Sequence, residues 1–181
     1  RREIFAWEGM AAKLYFEMWR DALPEPWVWP GRRTRGASDP VNAALNMAYS
    51  LLTSDAVRAL LLAGLDPHAG LLHSSSRNKP ALALDLVEEF RAPVADSVVL
   101  ACFRRRRFSE SSFVDARGSS GLSQDGRQTV IQAFETRMSE EIRHPTFGYS
   151  VTWRRALEVQ ARLLLGVFDG TQPGYKGIVI R

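Results

Sequence analysis

Apolar residues recur at helical spacing along almost the whole chain, and proline or glycine interrupts each run, which points to a fold of packed helices with almost no strand. From Glu3 to about Ala22 the stripe is Phe5, Met10, Leu14 and Trp19, closed by Pro24, Pro26 and Pro30. Asp39 before Pro40 reads as a helix N-cap with proline at the first position, opening VNAALNMAYSLL. Ser54 and Asp55 are expected to restart a second helix that ends at Gly64, making a helical hairpin or a kinked pair. Leu82, Leu86 and Phe90 define the next buried stripe, which should stop at Arg91-Ala92-Pro93. Val94 to Phe108 forms another helix ending in four arginines, and the Gly/Ser-rich stretch Ser109 to Ser123 reads as a surface loop. Two long helices follow, from about Asp125 to Arg143 and from about Val151 to Phe168, separated by HPTFGYS; the tail TQPGYKGIVIR is expected to be irregular from about residue 170. The expectation is one compact all-α domain of about seven helices over residues 1–181, with no internal repeat or linker.

Composition excludes several classes. With 181 residues and 45% hydrophobic content the chain can bury a sizeable core. The one cysteine, Cys102, sits in the apolar stretch VVLACF and is expected to pack in the core; a single cysteine permits no disulfide within the chain, which points to a reducing, cytoplasmic setting. No apolar run approaches the roughly 20 residues needed to span a bilayer, and RREIFAWEG lacks the small-residue cleavage site of a secretory signal, so a soluble protein without membrane association is expected. Net charge is only +4, from 24 Lys+Arg against 20 Asp+Glu, but the cations are mostly arginine and clustered: Arg32, Arg33 and Arg35; Arg104, Arg105, Arg106 and Arg107; and Arg154 with Arg155. Any one cluster reads about equally well as a solvated or dipole-compensating face and as a DNA contact; three together shift the balance modestly toward nucleic acid.

The stretch GLDPHAGLLHSSSRNKPALALDLVEEFR, Gly64 to Arg91, sets His73 beside a polar loop and then a helix carrying Asp85 and Glu88. At about 100° per residue the two acids fall within about 60° of each other, with Glu88 nearly opposite the apolar stripe. Acids on a polar helix face are ordinarily just solvated, and a lone histidine is ordinarily a satisfied core group. An imidazole with carboxylates and no thiolate nevertheless suits Mg²⁺ or Mn²⁺ better than a closed zinc site, with a third ligand to be supplied from elsewhere. Gly9, beside Glu8, costs about 1 kcal/mol inside a helix relative to alanine and is expected to mark a close packing approach.

The order WEG, DPVNAALN, AGLDPHAGLLH, LALDLVEEFR, GR with AFETRM, HP and RRALEVQARLL resembles the helical domain of the CRISPR-associated spacer-acquisition integrase, the family of Cas protein one, over nearly the whole chain. The resemblance implies a divalent ion, Mg²⁺ or Mn²⁺, held by Glu8, His73 and Glu88, with Asp85 as a supporting acid. It implies DNA integration by transesterification, in which a spacer 3′-hydroxyl attacks a phosphodiester at the border of a CRISPR repeat. Lys79, Arg77 and Ser74 to Ser76 would border the scissile phosphate, with Lys79 the best candidate. Arg32, Arg33, Arg35 and Arg104 to Arg107 would hold duplex DNA, and Trp27 and Trp29 either stack on an unpaired end or pack onto the helices. The partners implied are spacer-precursor and repeat DNA, Cas protein two, and a second copy of the chain within a larger integrase complex. The family's small β-rich N-terminal domain is not in this sequence, which is expected to belong to a longer polypeptide such as a fusion with a reverse transcriptase or a nuclease. Two other readings stay open: a related metal-dependent nuclease or transposase of the same fold, and a non-catalytic helical DNA-binding scaffold.

Overall fold

The structure, a computed structural model, describes residues 2–33, 37, 39–73, 79–116 and 119–179. Arg35, Ser74 to Ser76 and Arg77 lie outside the described residues. Six α-helices are present among them: α1 (Arg2–Ala22), α2 (Pro40–Leu62), α3 (Ala81–Phe90), α4 (Ser97–Arg104), α5 (Gln124–Ser139) and α6 (Trp153–Phe168). Two antiparallel hairpins, β1 (Phe113–Ala116) with β2 (Ser119–Leu122) and β3 (Glu141–Arg143) with β4 (Ser150–Thr152), separate the later helices. The fold is therefore helix-rich with a few short strands.

The described chain groups into two compact units, Arg1–Ala48 with Val98–Ala133, and Tyr49–Ser97 with Phe134–Arg181. In the first, Trp19 and Trp29 are buried, and their rings meet Phe16 edge-on at 5.9 and 5.6 Å. A second aromatic group there joins Trp27, Phe103, Phe108 and Phe113, and Cys102 is buried. The α2 N-terminus is built as its sequence predicts, because Asp39 Oδ1 accepts the Asn42 N–H at 2.8 Å. In the second unit Leu52, Leu60, Leu82, Leu86, Phe90, Phe134, Trp153 and Leu157 form the core.

Four expectations change. The restart at Ser54 does not occur, and α2 runs unbroken from Pro40 to Leu62. The Thr53 and Ser54 hydroxyls bond back to the carbonyls of Tyr49 and Ser50, so their polar groups are satisfied inside the helix instead of capping a new one. The break at Pro93 is likewise absent, because a widened turn over Arg91–Asp96 joins α3 to α4. Ser97 N–H reaches back five residues to Ala92 O, and the Pro93 carbonyl accepts Arg137 Nε and Nη2 at 2.9 and 2.6 Å. The predicted loop over Ser109 to Ser123 contains the β1–β2 hairpin, with Phe113 opposite Leu122, and the helix expected to run to Arg143 stops at Ser139 before β3. Strands of three or four residues are too short to show alternation in the sequence.

Candidate functional site

The site region begins where α2 ends. Gly64 takes a positive φ of 83°, its N–H bonds Leu61 O, and Leu65 N–H bonds Leu60 O, a helix stop that only glycine enters freely. The chain then returns to the start of α3, where no side chain caps the helix. Its open donors are taken by the Pro67 carbonyl, which accepts Leu82 N–H at 2.8 Å and Ala83 N–H at 3.3 Å.

One turn into α3, the Asp85 carboxylate gathers the backbone of residues 71–73. Its Oδ2 accepts Leu71 N–H at 2.7 Å and Leu72 N–H at 2.9 Å, and its Oδ1 accepts His73 N–H at 2.9 Å. The same Oδ1 lies 2.6 Å from His73 Nδ1. Gly70 is required for this path, since a Cβ there would sit 2.5 Å from both Ala81 Cβ and His73 O. The Asp85 side chain is 8% exposed. Burial alone would raise its pKa, but the combined hydrogen bonds from His73, Leu72 and Leu71 outweigh that and hold the carboxyl below its ordinary value. An ionised carboxylate only accepts, so Nδ1 of His73 carries a proton, and in the neutral ring that leaves the lone pair on Nε2, the tautomer a metal-binding histidine needs.

Glu88 stands one turn further along α3, 32% exposed, with Oε1 and Oε2 at 2.8 and 3.0 Å from Arg91 Nη1. Arg91 also lies over the Tyr49 ring, 5.1 Å from its centroid. Lys79 is half-buried immediately before α3. Glu8 is exposed on α1, in the first unit, whereas His73, Asp85 and Glu88 belong to the second. A Cβ on Gly9 would meet nothing within 4 Å, so the close packing expected of that glycine is not seen and nothing in the structure explains it. Within either unit, no three described His, Cys, Asp or Glu side chains gather as a ready metal-holding group.

The arginines divide into engaged and displayed sets. Arg32 Nη1 bonds Asn42 Oδ1 at 2.9 Å and Arg33 O at 2.5 Å, while Arg33 donates its own N–H to Asn42. This pair therefore ties the basic loop to the start of α2. Arg154 is held by Asp55 at 3.2 Å and Glu135 at 3.0 Å, and Arg155 by Glu158 at 2.6 Å, so neither is simply displayed to a phosphate. Arg104 to Arg107 are all exposed. Of the tryptophans offered for base stacking, Trp29 is only 4% exposed and belongs to the core, and Trp27 is half-buried with its ring packed on Phe103 and Phe113.

Sequence reading missed Glu89, Gln160 and Tyr175. Gln160 is fully buried and its Nε2 donates to Glu89 Oε2 at 2.9 Å and to Lys176 O at 3.2 Å. Glu89 also accepts the Tyr175 hydroxyl and, at 2.7 Å, Ile178 N–H, which fastens the tail to α3. No motif announces this, because the partners are separated by more than seventy residues in the chain.

The backbone matches a class of DNA-joining proteins. A solved casposase bound to integration product superposes with a TM-score of 0.90 at 27% identity, covering 96% of this chain and 52% of that one. A family model for CRISPR associated protein Cas1 matches residues 1–136. CRISPR-associated endonuclease Cas1 3 of Thermus thermophilus is 41% identical over 174 residues, 96% of this chain and 52% of the relative. The CRISPR-associated exonuclease Cas4/endonuclease Cas1 fusion of Geobacter sulfurreducens is 43% identical over 180 residues, 96% of this chain and 32% of that protein. The chain belongs to the Cas1 family and spans about half, or less, of the length of these relatives.

Proposed function

We propose that this chain is the metal-dependent catalytic part of a DNA integrase of CRISPR adaptation, joining spacer 3′-hydroxyl ends to the repeat by transesterification. The observation that carries the reading is the Asp85 carboxylate, which accepts the backbone N–H groups of Leu71, Leu72 and His73 and, through one further bond, orients the His73 imidazole. Glu8, His73 Nε2 and Glu88 are the proposed ligands of Mg²⁺ or Mn²⁺, a donor set of one nitrogen and carboxylate oxygens that fits a hard ion. When bound, such an ion polarises the target phosphoryl oxygen and stabilises charge on the attacking or leaving oxygen.

The protein's own part is positioning. Asp85 orients His73, the Pro67 carbonyl fixes the start of α3, and Lys79 stands beside that start as the candidate to hold the scissile phosphate. Exposed Arg104 to Arg107 supply phosphate contacts to duplex DNA without choosing its sequence. Cas protein two and a second copy of the chain are the proposed protein partners.

A second reading, a transposase-type integrase with a different target, is supported by the likeness to the casposase. Joining of a labelled oligonucleotide to a repeat-bearing plasmid tests both. Product that disappears with chelator and in Glu88→Ala supports the integrase reading; product on any plasmid, repeat or not, favours the second. Product unchanged by chelator and by Glu88→Ala overturns the metal site, and duplex binding with no product in the parent leaves a DNA-binding scaffold.

A further inference from the structure

The hairpin tip between β3 and β4 displays two half-exposed aromatic rings. Phe147 is 47% exposed and Tyr149 46% exposed. Residues two apart in a strand flank their neighbour on the same face only while the backbone stays extended; here Gly148, with φ of 73°, turns the chain between them. The outcome is a parallel pair, ring centroids 5.7 Å apart and planes 15° from each other. Beneath lies His144, fully buried, its ring 4.9 Å from Phe147 and 5.8 Å from Tyr149. The turn is pinned by Arg143 Nε donating to Gly148 O at 2.9 Å and by Gly148 N–H donating to His144 O at 2.7 Å. The rings are thus preorganised, although they face solvent.

These rings form one wall of a groove of about 310 Å³, whose other side is α6 with Arg155, Val159 and Arg162. Arg155 is engaged by Glu158. Arg162 is exposed and forms no ion pair with any described residue. A flat π surface beside a displayed guanidinium matches a nucleotide, base on ring and phosphate on arginine, and the groove is too small for a duplex. A protein-binding patch would instead be expected to extend as a broad apolar core with arginine only at its rim.

We infer that Phe147, Tyr149 and Arg162 form a stacking site for an unpaired nucleotide at a DNA strand end. The inference rests on the proposed function for the choice of DNA as ligand. It differs from the expected role of Trp27 and Trp29, which are packed inward.

The test uses duplexes with either blunt ends or a short single-stranded overhang carrying 2-aminopurine, titrated with the chain and with the double variant Phe147→Leu/Tyr149→Leu. Leucine keeps apolar bulk and removes the π face. The parent quenches 2-aminopurine and prefers the overhang; the double variant loses about tenfold in affinity for the overhang and none for the blunt duplex, while Tyr149→Phe behaves as the parent. Arg162→Gln weakens overhang binding without abolishing quenching. Unchanged overhang affinity in the double variant overturns the site, as does an equal loss on blunt duplex or a change in sedimentation that marks the rings as a protein interface. Loss of the overhang preference in the double variant supports the site even if strand joining fails in the parent, in which case only the enzymatic reading falls. Strand joining with no effect of the double variant on overhang binding removes the stacking site alone.

Discussion

His73 Nδ1 lies 2.6 Å from Asp85 Oδ1, on a carboxylate that also receives the backbone N–H groups of residues 71, 72 and 73. One side chain therefore fixes both the path of the loop and the orientation of the imidazole at its end. Asp85→Asn keeps the shape but offers one acceptor oxygen in place of two. The variant is expected to bind Mn²⁺ about 10- to 100-fold more weakly and to lose about 1–3 kcal/mol of stability, read by calorimetry and thermal denaturation. Metal affinity unchanged in a folded variant would show that the pair has no bearing on the ion.

Gly70→Ala tests the same loop from its backbone. The added Cβ would sit 2.5 Å from Ala81 Cβ and from His73 O, so the loop must move, at a cost of about 1–3 kcal/mol. The expected result is a lower melting temperature together with weaker strand joining. Gly9→Ala, where nothing lies within 4 Å, should instead stabilise α1 slightly.

Stability should fall with pH in two separate windows. His144 is wholly buried, and burial lowers its pKa below 6.5 against the smaller opposing effects of Gln160 and Glu89. The unfolded chain then binds the proton more readily, so stability is full above pH 6.5 and declines as pH drops below that value toward the folded pKa. Asp85 is depressed in the acid sense: its contribution is present above the unfolded value of 3.8 and is lost as pH falls through the lower folded value. Denaturation midpoints between pH 7 and 5 should decline in the parent and flatten in His144→Gln.

Arg106 occupies the helix-stop position at the end of α4 with φ of 53°, its N–H on Phe103 O and Arg107 N–H on Cys102 O. Gly64 fills the matching position after α2. Left-handed backbone costs a non-glycine residue roughly 1–2 kcal/mol. Arg106→Gly should therefore raise the melting temperature while weakening duplex binding and reducing its salt slope by about one.

Tyr175 and Glu89 fasten the tail to α3. Burial, with the nearby Glu89 charge, drives the Tyr175 hydroxyl well above its ordinary pKa, so it stays a donor at neutral pH. Tyr175→Phe should cost about 1 kcal/mol, measured by denaturant unfolding, since Glu89 keeps its bonds from Gln160 and Ile178.

Long apolar stripes were legible: α1, α2, α3, α5 and α6 fall close to where periodicity places them, and the Asp39 cap is as read. Breaks were not. Ser54 and Pro93 are ordinary stop signals, but i−4 back-bonding satisfies the first and a widened turn, with Arg137 on the Pro93 carbonyl, accommodates the second. The candidate site was readable only as a grouping of residue types, His73 with Asp85 and Glu88. What no spacing could show was that Asp85 would be consumed by three backbone donors and an imidazole, or that Arg154 would be neutralised by Asp55 from ninety-nine residues away. Phe147 and Tyr149 went unremarked because two aromatics in a turn read as ordinary packing until their exposure is known.

Mn²⁺ is titrated by calorimetry into the parent chain, Glu8→Ala, His73→Ala and Glu88→Ala, with strand joining measured on the same samples. The expected result is one ion per chain in the parent, binding weakened at least tenfold in each variant, and joining lost in parallel. Identical titrations for all four proteins, with joining unaffected, would contradict it.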